Sequence, residues 1–253
     1  MERLEKLISY LAPDLDLPQT REEQEWVLRA LMNIWEPKVM PAEFWSLQDA
    51  YLQETLAHKR VTGLSDLQEV EPQIYLWQGD ITSLEVDAIV NAANSQLLGC
   101  FVPHHPCIDN AIHSQAGLQL RLACYQLMKV QGHLEETGQA KITPAYNLPA
   151  NHVIHTVGPI IQTAVGPQDE ELLASSYRKS LELAVEKGLT SIAFCCISTG
   201  EFRFPQKRAA GIAIKTVRAF VHDHPQLQVI FNVFKDEDRD IYQELLGVHS
   251  QKY

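Results

Sequence analysis

An α/β fold is expected of this chain: a mixed, largely parallel sheet with helices on both faces, preceded by a helical extension. Three observations predict it. From Gln73 onward, short apolar runs alternate with longer segments of helical spacing, a succession that builds a covered sheet. Before that point the apolar residues recur at helical spacing only. The polar residues that chemistry needs stand just after the apolar runs, at the carboxyl ends of the expected strands, where ligands gather in such folds.

The extension reads as helical from residue 1 to about 67. Leu4, Leu7, Ile8 and Leu11 mark a first helix, which Pro13 stops. Thr20 with Glu23 three residues on looks like a capped start, and the helix it opens carries Trp26, Leu28, Leu31, Met32 and Trp35 before Pro37. A third helix runs from Pro41 to about Ala57 with Phe44, Trp45, Leu47, Tyr51 and Leu52. Every tryptophan but Trp77 falls in this region, and none stands beside a cluster of polar site-type residues. The extension, 1–70, is therefore expected to pack on a main domain of 71–253, with partner docking as the other reading.

In the main domain, strands are expected at 74–77, 86–90, 141–144, 152–157, 191–197 and 228–234. The run 86–90 is apolar except for Asp87, which suits a strand buried on both faces. Helices are expected at about 107–130 with a possible break at Gly117, at 169–187, at 205–223 and at 236–246. The second of these has an acidic first turn and Gly188 at its end, and the third has a proline at its start. Residues 162–168 read as a surface loop. The strand ends then carry Gly79-Asp80, the carboxamides Asn91 and Asn94, Ser198-Thr199-Gly200 and residues 232–234, four polar ends on one rim.

Composition narrows the function. The 253 residues are 45% hydrophobic and 21% charged, as in an ordinary globular protein. A net charge of −11 argues against binding through a bare phosphate backbone, so no nucleic-acid partner is expected. A compact anion remains open, because oriented backbone N–H groups hold phosphate without lysines. No apolar run reaches a membrane span and the start is a charged amphipathic helix, so a cytoplasmic protein without a membrane partner is expected. Nothing signals an obligate interface, which points to a monomer. Five cysteines, an odd number, fit reduced thiols and a metal site better than a disulfide framework.

That metal site falls in the stretch 90–117. Cys100, His105 and Cys107 lie within eight residues, and Pro103 and Pro106 stiffen the path between them. Two thiolates and an imidazole can converge on a tetrahedral ion and leave a fourth position open, which favours catalysis over structure. His104 is the rival ligand; a structural zinc with a further ligand, or two reduced thiols without metal, are the plainer readings. Asp109, just beyond, could be no more than a helix N-cap.

Several motifs in order resemble the macrodomain family: GDIT at 79–82, VDAIVNAAN at 86–94, an Asp-containing helix start at 108–113, HTVGP at 155–159 and ISTGEFRFP at 197–205. The resemblance runs from about Glu71 to the C-terminus and implies a three-layer α/β/α sandwich that binds ADP-ribose across the upper edge of its sheet. Where the common hydrolytic branch has a run of glycines, this chain has GCFVPHHPCIDN, which is similar to a zinc-dependent microbial branch linked to sirtuin-type ADP-ribosyltransferases and lipoylated carrier proteins. That branch implies zinc on Cys100, His105 and Cys107. Arg203, where the common branch has glycine, is a second departure and puts the phosphate contacts in question.

The resemblance also assigns roles. Asn94 would hold the distal ribose, against a plain turn role. Asp109 would position or deprotonate water, with Asn110 in the same pocket. Asp80 would accept from the adenine amino group beside the Ile81 backbone N–H, against a role as a strand-end cap. Ser198, Thr199, Gly200 and Glu201 would cradle the diphosphate, with Phe202 over the distal ribose. Phe234 would pack on adenine, although a bare phenylalanine there is more often core. His113, His152 and His155 read as structural, and Cys124, Cys195 and Cys196 as small buried residues. The leading reading is a zinc-dependent hydrolase that removes mono-ADP-ribose from protein side chains, acidic ones first. The alternatives are a non-catalytic ADP-ribose reader with structural zinc, or an O-acetyl-ADP-ribose deacetylase.

Overall fold

The computed structural model describes residues 2–248. Three helices come first: α1 (Glu2–Leu11), α2 (Arg21–Ile34) and α3 (Ala42–Ala57). The capping box at Thr20 forms, with the Glu23 backbone N–H donating to Thr20 Oγ1 at 3.2 Å and the Thr20 N–H donating to the Glu23 carboxylate at 3.1 Å. Leu4, Leu7, Ile8, Leu28, Met32, Met40 and Phe44 bury their apolar faces together. This small core closes only with Leu118, a residue of the main domain.

The helical reading to about Leu67 overruns. After Ala57 the chain makes a short strand β1 (Thr62–Gly63), a turn of 3-10 helix and β2 (Glu69–Glu71), which joins the main sheet. There follow β3 (Ile74–Gln78), β4 (Leu84–Glu85), β5 (Ala88–Ala92), α4 (Ile108–Ala116), α5 (Leu118–Gln131), β6 (Ala140–Pro144) and β7 (His152–Thr156). The chain ends with α6 (Pro167–Glu186), β8 (Ser191–Phe194), α7 (Gln206–Asp223), β9 (Gln228–Val233) and α8 (Asp236–Leu246). β8 stops three residues short of the expected end, because Cys195 to Ile197 lead into the polar loop rather than extend the ladder. Pro167, expected in a loop, instead opens α6, where its missing N–H is harmless.

The main sheet has seven strands in the order β2-β3-β9-β8-β5-β7-β6. The five inner strands run parallel, and an antiparallel strand closes each edge. Ala88, Ile89 and Val90 of β5 are all fully buried, as expected of a strand covered on both faces. Asp87, the one charge at its start, accepts from Thr190 N (2.7 Å), Thr190 Oγ1 (2.8 Å) and Ser191 N (3.1 Å), so it pins β5 to β8 rather than disturbing the core. Helices α6, α7 and α8 pack side by side, while α4 and α5 pack on each other and on β5 and β6. The result is a three-layer α/β/α sandwich with a mixed sheet.

Because the inner strands are parallel, their carboxyl ends share one rim. The α1–α3 unit sits against α4, α5 and the loop after β6 through polar contacts: Gln48 accepts from Leu118 N at 2.9 Å, and Asp49 accepts from Asn147 Nδ2 at 2.8 Å. No helix among the described residues is long and apolar enough to cross a membrane.

Candidate active site

Between β5 and α4 the chain forms a loop that gathers soft ligands. The donor atoms of Cys100, His105 and Cys107 lie within 4.8 Å of one another, each residue half-buried. Val102 O accepts from His105 N at 3.2 Å, and prolines at 103 and 106 flank that turn. His104 stands in the left-handed region (φ 56°) and stacks its ring on Trp26, so it faces away and the choice between the two histidines falls to His105. Nδ1 of His105 is buried without a partner, and Nε2 lies 3.8 Å from a Glu201 carboxylate oxygen. Burial pushes the Cys107 thiol up to about 12, and the neighbouring Cys100 adds to the rise. Two adjacent thiols and an orphaned imidazole nitrogen fit a zinc ion: they are the right donor types, and cation binding is what lets such thiols shed their protons.

Cys107 has a second job. It is the N-cap of α4, its sulfur accepting from Asn110 N at 3.4 Å, so the N-cap reading of Asp109 fails. Asp109 instead points inward and is 6% exposed. Asn91 Nδ2 donates to its carboxylate at 2.8 Å, and His113 Nε2 lies 3.5 Å away. Burial raises Asp109 to about 6, against the pull of the Asn91 hydrogen bond and the Arg121 charge.

Asn91 is itself fixed from behind. It pairs in register with His155 on β7, whose Nδ1 lies 3.3 Å from Asn91 Nδ2, while His155 Nε2 lies 3.0 Å from Thr143 Oγ1 on β6. Since the Asn91 amide donates to both the acid and Nδ1, His155 carries its proton on Nε2. The sequence reading passed over Asn91 as an individual, and took His113 and His155 as structural only. The one local signal is a carboxamide near the end of an otherwise apolar strand; its partner His155 stands opposite on β7 and is reached only by strand pairing.

Asn94, expected at the distal ribose, has both ends of its carboxamide engaged locally: Nδ2 donates to Gly99 O at 3.1 Å and Oδ1 accepts from Gln96 N at 3.0 Å. It shapes the start of the loop between β5 and α4.

The second loop follows β8. Ser198 adopts φ 65°, rare for a residue with a side chain, and its hydroxyl is buried without a partner. Phe204 N donates to Ser198 O at 2.9 Å and Arg203 N donates to Gly200 O at 3.0 Å, so the loop is a tight turn with Arg203 also left-handed. Gly158 from the loop after β7 must be glycine, because a Cβ there would stand 2.0 Å from Ser198 Oγ. Thr199 and Phe202 are half-buried, and Gly200 and Glu201 are exposed. Glu201 reaches His105, so the two loops meet at that point.

Asp80 and Phe234 follow the paired ends of β3 and β9, where Gln78 lies opposite Val233. Asp80 does act as a cap: one oxygen accepts from Thr82 N (3.0 Å) and Thr82 Oγ1 (2.6 Å), the other from Lys59 Nζ (3.2 Å). Burial opposes its charge, but Thr82 and Lys59 hold the carboxyl below its usual range. The Ile81 side chain is core. Phe234 is 74% exposed, which removes the reading of it as a core residue.

Relatives share this arrangement of elements. A Macro domain family model matches residues 90–213. The chain is 48% identical over 257 residues to a protein-ADP-ribose hydrolase of Treponema medium, with 97% of this chain and 98% of that protein covered. It is 45% identical to a protein-ADP-ribose hydrolase of Staphylococcus aureus strain Mu50, with 97% and 95% covered. Its fold superposes on a Trypanosoma brucei macrodomain in complex with ADP-ribose at a TM-score of 0.68, with 30% identity over 83% of this chain and 92% of that one. With near-complete coverage at this identity and a fold in common, the chain belongs to the Macro domain family.

Proposed function

We propose that this protein is a protein-ADP-ribose hydrolase whose loop between β5 and α4 holds zinc through Cys100, His105 and Cys107. One observation carries the reading: the three soft ligands converge immediately before a buried carboxylate, on the rim where the parallel strands end. Near-full-length similarity to proteins named for that activity supports it. Cys100, His105 and Cys107 would hold the zinc, which would supply Lewis acidity to a reacting oxygen.

The chain's own groups do the rest. In this reading Asp80 and the Ile81 N–H take the adenine edge, and Phe234 covers its face. The turn at Ser198 to Glu201 offers the orphaned hydroxyl and backbone N–H groups to the diphosphate. Phe202 and Asn94 bound the distal ribose. Asn91 holds the Asp109 carboxylate in one orientation, from which it takes a proton from attacking water. A carboxylate leaves without needing a proton, which suits a pocket where burial keeps His113 and His155 neutral. Esters on aspartate or glutamate side chains are therefore the proposed linkage.

The test uses zinc-loaded full-length protein and a target protein mono-ADP-ribosylated on glutamate. Release of ADP-ribose by the wild type, with Asp109→Asn slower by about 100-fold yet still binding free ADP-ribose, is the expected result. Binding without any turnover would make the protein a reader instead.

A further inference from the structure

The α1–α3 unit touches the proposed zinc site through one helix, α2, and it does so with side chains rather than by general packing. Trp26 lays its ring on His104 with centroids 3.4 Å apart and planes 9° from parallel. Asn33, seven residues on and on the same helical face, is 1% exposed and accepts from His104 N at 3.0 Å. Its Nδ2 donates to Ser114 Oγ in α4 at 2.9 Å. Between them Arg29 donates to Asn110 Oδ1 at 3.2 Å, and Asn110 in turn donates through Nδ2 to Val102 O (3.0 Å) and through its backbone N–H to Cys107 Sγ (3.4 Å). At the far end, Arg121 joins Leu98 O, just ahead of Cys100, to the last carbonyls of α2 at Met32 and Trp35.

We propose that α2 is the outer wall of the metal-binding loop, and that Trp26 and Asn33 are positioning residues that hold His104 so that His105 faces the two cysteines. This rests on the zinc reading of Cys100, His105 and Cys107. The physical case is one of adjacent residues. His104 is held in left-handed backbone, which is uncommon for a residue with a side chain, although histidine, like asparagine, enters it more readily than most. The His104 ring is buried against α2, where it stacks on the Trp26 ring and approaches the Trp26 backbone, and Asn33 fixes the His104 backbone. If His104 is released, the turn between Pro103 and Pro106 loses its imposed twist and the His105 imidazole loses its direction. Trp26, 62% exposed on its outer side, has no core to serve; its inner face serves the loop. Partners of this kind, which orient metal ligands without touching the metal, commonly change affinity by roughly 10–100-fold.

The experiment measures zinc affinity by chelator competition, and the cobalt-substituted absorption spectrum, on the full-length wild type, Trp26→Ala, Trp26→Phe and His104→Asn. Asparagine tolerates left-handed backbone, so His104→Asn removes the stack while leaving the turn feasible, and it keeps the question answerable should Trp26→Ala fold poorly. The expected result is zinc affinity lower by roughly tenfold or more in Trp26→Ala and His104→Asn, with shifted thiolate-to-cobalt bands, and recovery toward wild type in Trp26→Phe. Unchanged affinity and spectrum in Trp26→Ala and His104→Asn would overturn the role of α2 while leaving the zinc site standing. A wild type with no thiolate-to-cobalt bands would overturn the zinc reading, and this proposal with it.

Discussion

Among the described residues, two groups of cysteine and histidine lie close together, and by proximity alone they are alike. Cys100, His105 and Cys107 form one; His113, Cys124 and His155 form the other, and in each the donor atoms lie within 4.8 Å of one another. The first is half-buried on a loop at the strand-end rim, while the second is fully buried on α4, α5 and β7. In the loop, the His105 Nδ1 has no partner. In the interior, both His155 nitrogens are engaged, by Asn91 and by Thr143, and Cys124 Sγ lies 3.6 Å from the same Nε2, while both ring nitrogens of His113 are buried without a hydrogen-bond partner. Burial pushes Cys124 up to about 12 and His155 down to about 3, so both hold their neutral forms. Ligand type and distance do not make a metal site. Access separates the two: the loop trio is half-buried and open to an entering ion, whereas the interior trio is fully buried, and burial pushes Cys107 and Cys124 alike up to about 12. The interior works as a frame: His155, held by Thr143, sets the Asn91 amide, which sets Asp109.

The largest effect that would break this contrast is in metal content. Cys107→Ala should fall from about one zinc per chain to near none, whereas Cys124→Ala should keep its zinc, both checked by mass spectrometry beside a circular dichroism spectrum. Loss of zinc from Cys124→Ala with the fold intact would make the two sites one. Next in size is Asn91→Ala, which leaves Cys100, His105 and Cys107 in place but frees the Asp109 carboxylate. Hydrolysis should drop by roughly 10–100-fold with zinc retained, and a wild-type rate would show that the interior frame is irrelevant to the acid.

A smaller effect concerns pH. His155 has its folded pKa lowered to about 3 from an ordinary 6.5, so the unfolded chain binds more protons than the folded one in that window. Wild-type stability should therefore decline as pH falls below about 6.5, and His155→Gln should lack that contribution. Between pH 7 and pH 5 the wild type should lose about 2 kcal/mol relative to the variant, read from urea midpoints. A constant gap would mean that His155 is not held neutral. The smallest effect is Thr143→Val, which removes the partner of His155 Nε2. It should cost about 1 kcal/mol in stability and leave zinc content unchanged.

The contrast also shows how far sequence reading reaches. The cluster of Cys100, His105 and Cys107 was legible because the three residues are close in sequence. Asp109 was legible as a candidate, but its rival role as an N-cap could be dismissed only once Cys107 was seen to occupy that position. The interior frame was not legible, since Asn91, Thr143 and His155 come from three strands and meet only through strand pairing. Trp26 was read as remote from the site on the same grounds, and folding brings it onto His104 across a gap of 78 positions that no local pattern encodes.

By itself, the sequence determined the alternation of strands and helices, the polar ends of the strands and the trio of soft ligands, because periodicity, turn chemistry and short spacing are local properties. Tertiary structure decided which histidine faces the cysteines, which residue caps α4 and which way Asp109 points. It also made the helical extension part of the wall around the loop. Each of those depends on the register of paired strands and on the seat of α2 against α4, and such long-range packing is set by the whole core.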